Sequence, residues 1–324
     1  MSLDLLIVCD KNKSRSWHRD RLDGIYKSLH NLNLSFEIHD IYEFLGKRDI
    51  NPSIKKNRLD FYHKYSLVDL NTKLYENISY LSPKVLILAT IDNFSEFLMP
   101  STLQRLRNEN IYLCAFFGDD EFNYFQNKFY LNYFDTSVVY VKEILNYYSE
   151  FTFKDLYYLP NSCYLTSSTI KKQQNFEVDL TIIGSPIANR AENLEFLKKN
   201  GISISIYGSK KWKNFSQLSE IYKGFLEDLN FDNTLSKSLF VFSPLEYDLE
   251  GKLHMTTKPW EALKSGSLPI ITFYKPLIND YGFENHKNIL MYSGKNELLQ
   301  IIKFYKKNIN LRNKILKSFH EHVY

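Results

Sequence analysis

The sequence predicts an α/β chain made of two doubly wound domains, each a parallel sheet covered by helices on both faces. Three observations carry that expectation. Short runs apolar at nearly every position alternate with helix-period segments, as strands buried on both sides require. At 166–175 the alternation gives way to "TSSTIKKQQN", a polar stretch with the composition of a linker. The alternation then restarts, and 324 residues suit two domains better than one core.

The first run, "LDLLIVC" (3–9), ends at Asp10 and leads into a helix-period stretch from Ser16 to His30. "LSFEIHD" (34–40) alternates like a strand, and a helix is expected over about 58–80 after an irregular polar region. "KVLILAT" (84–90) is the clearest buried strand of this half, and "SEFLMPSTLQRLRNE" (95–109) reads as a helix broken at Pro100. "IYLCAFF" (111–117) is again a buried strand, followed by "TSVVYV" (136–141), a short helix and "LYYLPNSC" (156–163). Beyond the linker come "VDLTIIG" (178–184), a helix, "ISISIYG" (202–208), a mixed region, "SLFVFSP" (238–244), "LPIITF" (268–273) and "NILMYS" (288–293). The expected domains are therefore 1–165 and 176–306, with a helix at 307–324 that packs back on the N-terminal domain.

Composition narrows the function. A net charge of +4 is too small for the concentrated basic face that nucleic acid needs, which argues against that partner. Basic residues gather in "KNKSRSWHRDR" (11–21) and "KFYKKNINLRNKILK" (303–317). These read either as solvated helix faces or as attraction to an anionic surface, which would make the protein peripheral to a membrane. Aromatic residues reach 16%, enough for core filling and, among tyrosines in polar segments, for sugar-facing or lipid-facing surfaces. Cys9, Cys114 and Cys163 lack metal-ligand spacing, and the first two sit in apolar runs as small hydrophobes. Asp4 and Asp10 interrupt the opening run, so no signal peptide is expected, and no run approaches the roughly 20 residues that span a bilayer. The expected location is the cytoplasm, at most against the inner face of its membrane.

Ligands in open α/β sheets bind outside the carboxyl ends of the strands, so chemistry is expected in the loops there. In "GSPIANR" (184–190) the Gly184–Ser185 pair lets backbone N–H groups approach a phosphate at a helix start, with Arg190 to pair a diphosphate. The plain alternative is a tight turn and a surface arginine. In "IYGSKKW" (206–212) Gly208 ends a strand, and the lysines and tryptophan suit either a stacked base and phosphate or an ordinary turn. "FFGDDEF" (116–122) places Asp119 and Asp120 at a strand end, as general base, metal ligand or hydroxyl acceptor, or as a simple helix cap. "PWEALKSG" (259–266) reads as a short helix with Pro259 in its first turn and Gly266 as its stop. Glu261 then lies near a helix N-terminus and could accept two hydroxyl hydrogens, as from the vicinal diol of a ribose.

The order "VDLTIIGSPIANR … ISISIYG … YKGFL … SLFVFSP … TTKPWEALKSGSLPIIT", with "FFGDDEF", "TSVVYV" and "YLPNSC" before it, resembles the CgeB-like (spore-maturation type) glycosyltransferases of GT-B fold. The resemblance covers roughly residues 110–305. It implies two Rossmann-like domains facing each other across a cleft, the C-terminal one holding a nucleoside diphosphate sugar (UDP- or GDP-linked) and the N-terminal one an acceptor. It implies that Glu261 binds the ribose, and that Gly184, Ser185 and Arg190 lie near the diphosphate. Gly208 and Thr257 fall among the donor-site positions. Lys258 stands where relatives often have Arg; it can neutralise a phosphate but cannot form a bidentate fork. No acid lies eight residues before Glu261, where Leu253 stands, and Glu250 or His254 is the substitute candidate. Retention or inversion at the anomeric carbon stays open.

The implied reaction is hexosyl transfer to a hydroxyl of a cell-surface glycan, a lipid-linked acceptor or a protein. Lys258, Arg190 and the Gly184–Ser185 backbone would stabilise the leaving diphosphate without a metal, and no further cofactor is implied. Asp119 or Asp120 would orient the acceptor or act as base, with His18 the other base candidate, unless it is only a polar helix-start residue. The rival readings are a catalytically silent sugar-nucleotide-binding module and a sugar-nucleotide epimerase of the same fold.

Overall fold

The computed structural model describes residues 3–9, 16–44, 66–91, 98–117, 125–159, 176–226, 230–247, 253–254, 256–279 and 281–323, without the side chains of 16–23, 42–43, 90–91, 246–247 and 253–254. The chain forms two compact units, Met1–Asn161 and Ser162–Tyr324.

The N-terminal unit is built on a six-stranded sheet in the order β2-β1-β3-β4-β5-β6. Its strands are β1 (Leu5–Cys9), β2 (Phe36–Asp40), β3 (Val85–Ile91), β4 (Tyr112–Phe117), β5 (Thr136–Val139) and β6 (Asp155–Tyr158). Every neighbouring pair is parallel, with Leu5 opposite both Phe36 and Val85. The period of two sorts the side chains onto two faces. Leu6, Val8, Leu86, Leu88 and Leu113 enter a core with Leu70, Leu74 and Ile78 of α2 (Leu67–Leu81) and Leu103 and Leu106 of α3 (Pro100–Asn108). Leu5, Ile7 and Cys9 face the other way, against Ile25 and Leu29 of α1 (Ser16–Asn31). A fully buried Leu contributes about 1.5–3 kcal/mol, so this two-sided covering explains why the strands read as unbroken apolar runs.

Two expectations about helices change here. Pro100 does not break a helix; it stands at the first turn of α3, where its missing N–H costs nothing. The helix expected over 58–80 is described from Leu67, and 58–65 lies outside the described residues. Cys9 is fully buried, and burial beside Asp135 pushes the Cys114 thiol up to about 11, so neither is a reactive nucleophile. Cys163 and the linker at 166–175 lie outside the described residues.

The C-terminal unit carries a parallel sheet in the order β13-β12-β9-β7-β8. Its strands are β7 (Val178–Gly184), β8 (Ile204–Gly208), β9 (Ser238–Phe242), β12 (Leu268–Thr272) and β13 (Leu290–Tyr292). From β7 the chain steps outward to β8 and then returns to lay β9 on the other side of β7, so the topological switch falls between β7 and β9. Its longer helices are α5 (Arg190–Lys199), α6 (Phe231–Ser236), α7 (Lys258–Ser265), α8 (Lys275–Asn279), α9 (Lys295–Lys307) and α10 (Ile309–Val323), following α4 (Ile144–Ser149) of the first unit. Between β9 and α7 the chain makes an antiparallel pair, β10 (Glu246–Tyr247) with β11 (Leu253–His254), which the apolar pattern did not foretell.

The buried residues of α10 belong to the C-terminal core. Ile315, Leu316 and Phe319 join that core, and Phe319 packs against Trp260 and Phe283. Arg312 is buried at 2% exposure. It donates to the carbonyl of Leu239 through Nε (3.2 Å) and Nη2 (2.9 Å), and to that of Gly266 through Nη2 (3.0 Å). Burial pulls its pKa down to about 10. Among the described residues no helix is long and apolar enough to cross a membrane.

Candidate functional site

The carboxyl edge of the C-terminal sheet is shaped by two glycines paired in register, Gly184 ending β7 and Gly208 ending β8. Both have positive φ, 148° and 112°, which favours glycine. A β-carbon on Gly208 would stand 2.5 Å from the Gly184 carbonyl oxygen and 2.8 Å from its nitrogen, so only glycine permits this approach. The carbonyl of Gly184 accepts from Ser209 N (3.1 Å) and from Trp212 Nε1 (2.8 Å). The carbonyl of Gly208 accepts from the Tyr222 hydroxyl at 2.8 Å, and its N–H donates to Gly224 O at 2.9 Å. Trp212 is fully buried, so it anchors this edge and is no stacking platform for a base.

After Gly184 the loop passes through Ala188, whose φ of 47° is uncommon for a residue with a β-carbon, and enters α5 at Arg190. Arg190 is 6% exposed. Its Nη1 donates to Ser185 O at 3.1 Å and its Nη2 to Pro244 O at 3.3 Å. The surface arginine of the alternative reading is thus excluded: the guanidinium straps the loop after β7 to the loop after β9, across the topological switch.

Pro259 sits in the first turn of α7, and Gly266, at φ 82°, caps its end, as expected. A crossover helix before a parallel strand starts at the carboxyl edge of the sheet, so the first turn of α7 stands there too. Glu261 is 2% exposed. Its Oε2 lies 2.8 Å from Lys258 Nζ, and its Oε1 accepts from Thr257 Oγ1 at 3.4 Å. The ammonium of Lys258 also lies 5.1 Å from the Phe231 ring centroid. Ala262, next to Glu261, shares a small apolar cluster with Phe231, Leu235 and Val241, and Ile183, next to Gly184, packs against that cluster. One cluster thus ties the Gly184 loop to the start of α7.

The remaining sequence candidates are less accessible to description. Asp119, Asp120 and Glu250 lie outside the described residues. His18 falls in α1 and His254 in β11, opposite Glu246, but the side chains of both lie outside the description. Sequence reasoning passed over Ser243 and Thr256. Ser243 Oγ, just past β9, and Thr256 Oγ1, just before α7, are buried and have no hydrogen-bond partner among the described residues. The signal for Ser243 was its place in "SLFVFSP", a polar residue at the end of an apolar strand.

Residues 190–324 match the family model described as "Glycosyl transferase-like". No curated protein matches the chain significantly. Among solved structures, the chain is similar to the sucrose-phosphate synthase of Thermosynechococcus elongatus at 10% identity and TM-score 0.66, over 99% of this chain and 94% of that one. It is similar to Anabaena Alr3699/HepE in complex with UDP-glucose at 9% identity and TM-score 0.53, over 98% and 93%. A mutant of S. aureus TarM, in complex with fondaparinux, α-GlcNAc-glycerol and UDP, matches at 14% identity and TM-score 0.53. That match covers 78% of this chain and only 55% of TarM. The two parallel-sheet units give the chain the GT-B fold of glycosyltransferases, and its residues 190–324 carry the glycosyl transferase-like sequence pattern.

Proposed function

We propose that the protein is a glycosyltransferase that moves a sugar from a nucleoside diphosphate to an acceptor hydroxyl, and that the donor sits at the carboxyl edge of the C-terminal sheet. The observation that carries this reading is Glu261, a carboxylate buried at 2% exposure in the first turn of α7 with Lys258 2.8 Å away. Such a carboxylate suits the two hydroxyls of a ribose, and the neighbouring ammonium suits the diphosphate. The glycine pair Gly184 and Gly208 supports it, because it ends two neighbouring strands at the edge where loop N–H groups can approach a phosphate. Ser185 supplies N–H and hydroxyl donors in the same loop, and Thr257 borders Glu261. Arg190 contributes positive charge from its strapped position and fixes the loop.

In the reaction the bond from the anomeric carbon to the β-phosphate oxygen breaks, and a bond to the acceptor oxygen forms. The diphosphate leaves with the electron pair, and the acceptor's proton passes to a base. Lys258, Arg190 and the loop N–H groups stabilise the departing charge, so no metal is required. Asp119, Asp120 and His18 of the N-terminal unit are the residues we assign to the acceptor and its proton, and His254 or Glu250 to the face of the donor sugar. A glycan or lipid-linked acceptor fits this class. UDP-sugars are the first donors to test, because HepE and TarM were solved with UDP-glucose and UDP.

Calorimetry with UDP-, GDP-, ADP-, CMP- and dTDP-sugars tests the donor, and release of free nucleoside diphosphate on adding acceptor tests the transfer. Binding of no sugar nucleotide overturns the reading. Binding without turnover across acceptors replaces it with a silent binding module, and turnover without acceptor with an epimerase or hydrolase.

A further inference from the structure

The basic stretch near the end of the chain has no part in the donor site. From Leu298 to His320 the chain carries five lysines and an arginine and no acid. This stretch forms most of α9 and α10, which meet at Asn308, where a ψ of 61° bends the helical path. One side of each helix is buried in the same core, through Ile301, Ile302 and Tyr305 of α9 and Ile315, Leu316 and Phe319 of α10. The cations divide by what they do. Arg312 is buried against backbone carbonyls, Lys306 holds Asp179 at 2.8 Å, and Lys317 lies 3.4 Å from Glu321. Lys303, Lys307 and Lys314 are exposed and meet no carboxylate among the described residues. Phe304, 51% exposed, stands beside Lys303 and one turn from Lys307, and Leu311, 45% exposed, stands one turn from Lys314. Attraction to the helix dipole accounts for lysines at the end of α9. It does not account for Lys314, which lies in the first half of α10.

We infer that the corner between α9 and α10 is a docking surface for an anionic lipid bilayer. Lys303, Lys307 and Lys314 are drawn to the phosphate head groups, and their charge has no internal carboxylate to compete for it. The ring of Phe304 and the side chain of Leu311 enter the boundary between head groups and acyl chains, where the lysine stems also gain apolar contact. A second copy of the chain fits this surface worse, because it would set lysine against lysine. A nucleic acid fits it worse too, since Leu311 has no face on which a base can stack. Lys306 reaches Asp179 at the start of β7, and Arg312 reaches Leu239 and Gly266 at the starts of β9 and β12. The corner therefore lies at the amino edge of the C-terminal sheet, whereas the candidate donor residues lie at its carboxyl edge. Contact with a bilayer does not cover them, so this inference stands whether or not the donor reading does.

Sedimentation of the full chain with lipid vesicles tests it. The wild type is expected to bind an equimolar mixture of phosphatidylcholine and phosphatidylglycerol at low salt, to be released as salt rises, and to ignore phosphatidylcholine alone. The triple variant Lys303→Gln, Lys307→Gln, Lys314→Gln should bind about a hundredfold more weakly, at roughly fivefold for each lysine. The double variant Phe304→Ser, Leu311→Ser keeps every charge and should still lose about tenfold, through its lost apolar contact. Phe304→Trp should gain fluorescence quenching by brominated lipid beyond that of the wild type. Melting temperatures should stay within a few degrees of wild type, and UDP affinity should match it, because these side chains face water. No binding of the wild type to the mixed vesicles overturns the inference. So does binding that the triple variant retains, which would place the contact elsewhere on the chain. So does vesicle binding that the double variant leaves intact while duplex DNA binds as tightly, which would make the corner a surface for any polyanion.

Discussion

Gly208 lies so close to Gly184 that a β-carbon on the first would meet the carbonyl oxygen of the second at 2.5 Å. Both atoms belong to adjacent strands, so neither can move alone. Gly208→Ala is expected to destabilise the C-terminal unit by more than about 2 kcal/mol and to abolish donor binding. Gly224→Ala is the control: φ is 99° there, but nothing stands within 4 Å of the added carbon. Only the backbone penalty of about 1–2 kcal/mol remains. Urea midpoints of the two variants decide; equal losses would refute the steric account.

The Lys258–Glu261 pair separates stability from binding. Lys258→Met removes the ammonium 2.8 Å from a buried carboxylate and should cost about 1–3 kcal/mol, water at the partly exposed Lys258 position limiting the loss. Glu261→Gln alone costs less, and the double variant recovers most of the stability lost in Lys258→Met. All three should lose at least tenfold in sugar-nucleotide affinity by calorimetry. Unchanged affinity in Glu261→Gln and Glu261→Ala would remove Glu261 from the donor site.

Arg312→Met keeps the apolar stem of the side chain but strands the carbonyls of Leu239 and Gly266, both of which the guanidinium now satisfies. We expect a loss of about 2–4 kcal/mol in the C-terminal unit, read by chemical denaturation. A variant as stable as wild type would show that water replaces the guanidinium there.

Acid stability of the N-terminal unit should depend on Asp4. The hydrogen bond from Lys84, at 2.7 Å, and those from the Ser35 side chain and backbone hold its carboxyl well below the usual carboxylate range. A carboxyl lowered on folding stabilises above its unfolded pKa and loses that contribution as pH falls through its folded value. Asp4→Asn should therefore be less stable than wild type at pH 7, with the gap closing in strong acid. A gap independent of pH would rule out the charged form as the source.

Strands were easy to read because each is buried on both faces, and the runs at Leu5–Cys9, Val85–Ile91, Val178–Gly184 and Ser238–Phe242 differ from expectation only at their ends, if at all. Gly208 and Gly266 were legible for the same kind of reason, since a positive φ leaves a one-letter mark. The roles of Arg190 and Trp212 were not. Both reach partners 28 or more residues distant, Gly184 from Trp212 and Pro244 from Arg190, and no local period encodes a long-range bond to a carbonyl. The β10–β11 pair was missed because two residues a side are too few to show alternation.

The contacts of α10 also bear on how the protein is made. Phe319 closes over Trp260 and Phe283, and Arg312 fastens the first turns of structure around β9 and the end of α7. On the ribosome, β7 and β9 emerge long before the helix that completes their core. Until residues 309–323 follow, the C-terminal unit exposes the apolar floor beneath α7, and it needs shielding from neighbours during that interval.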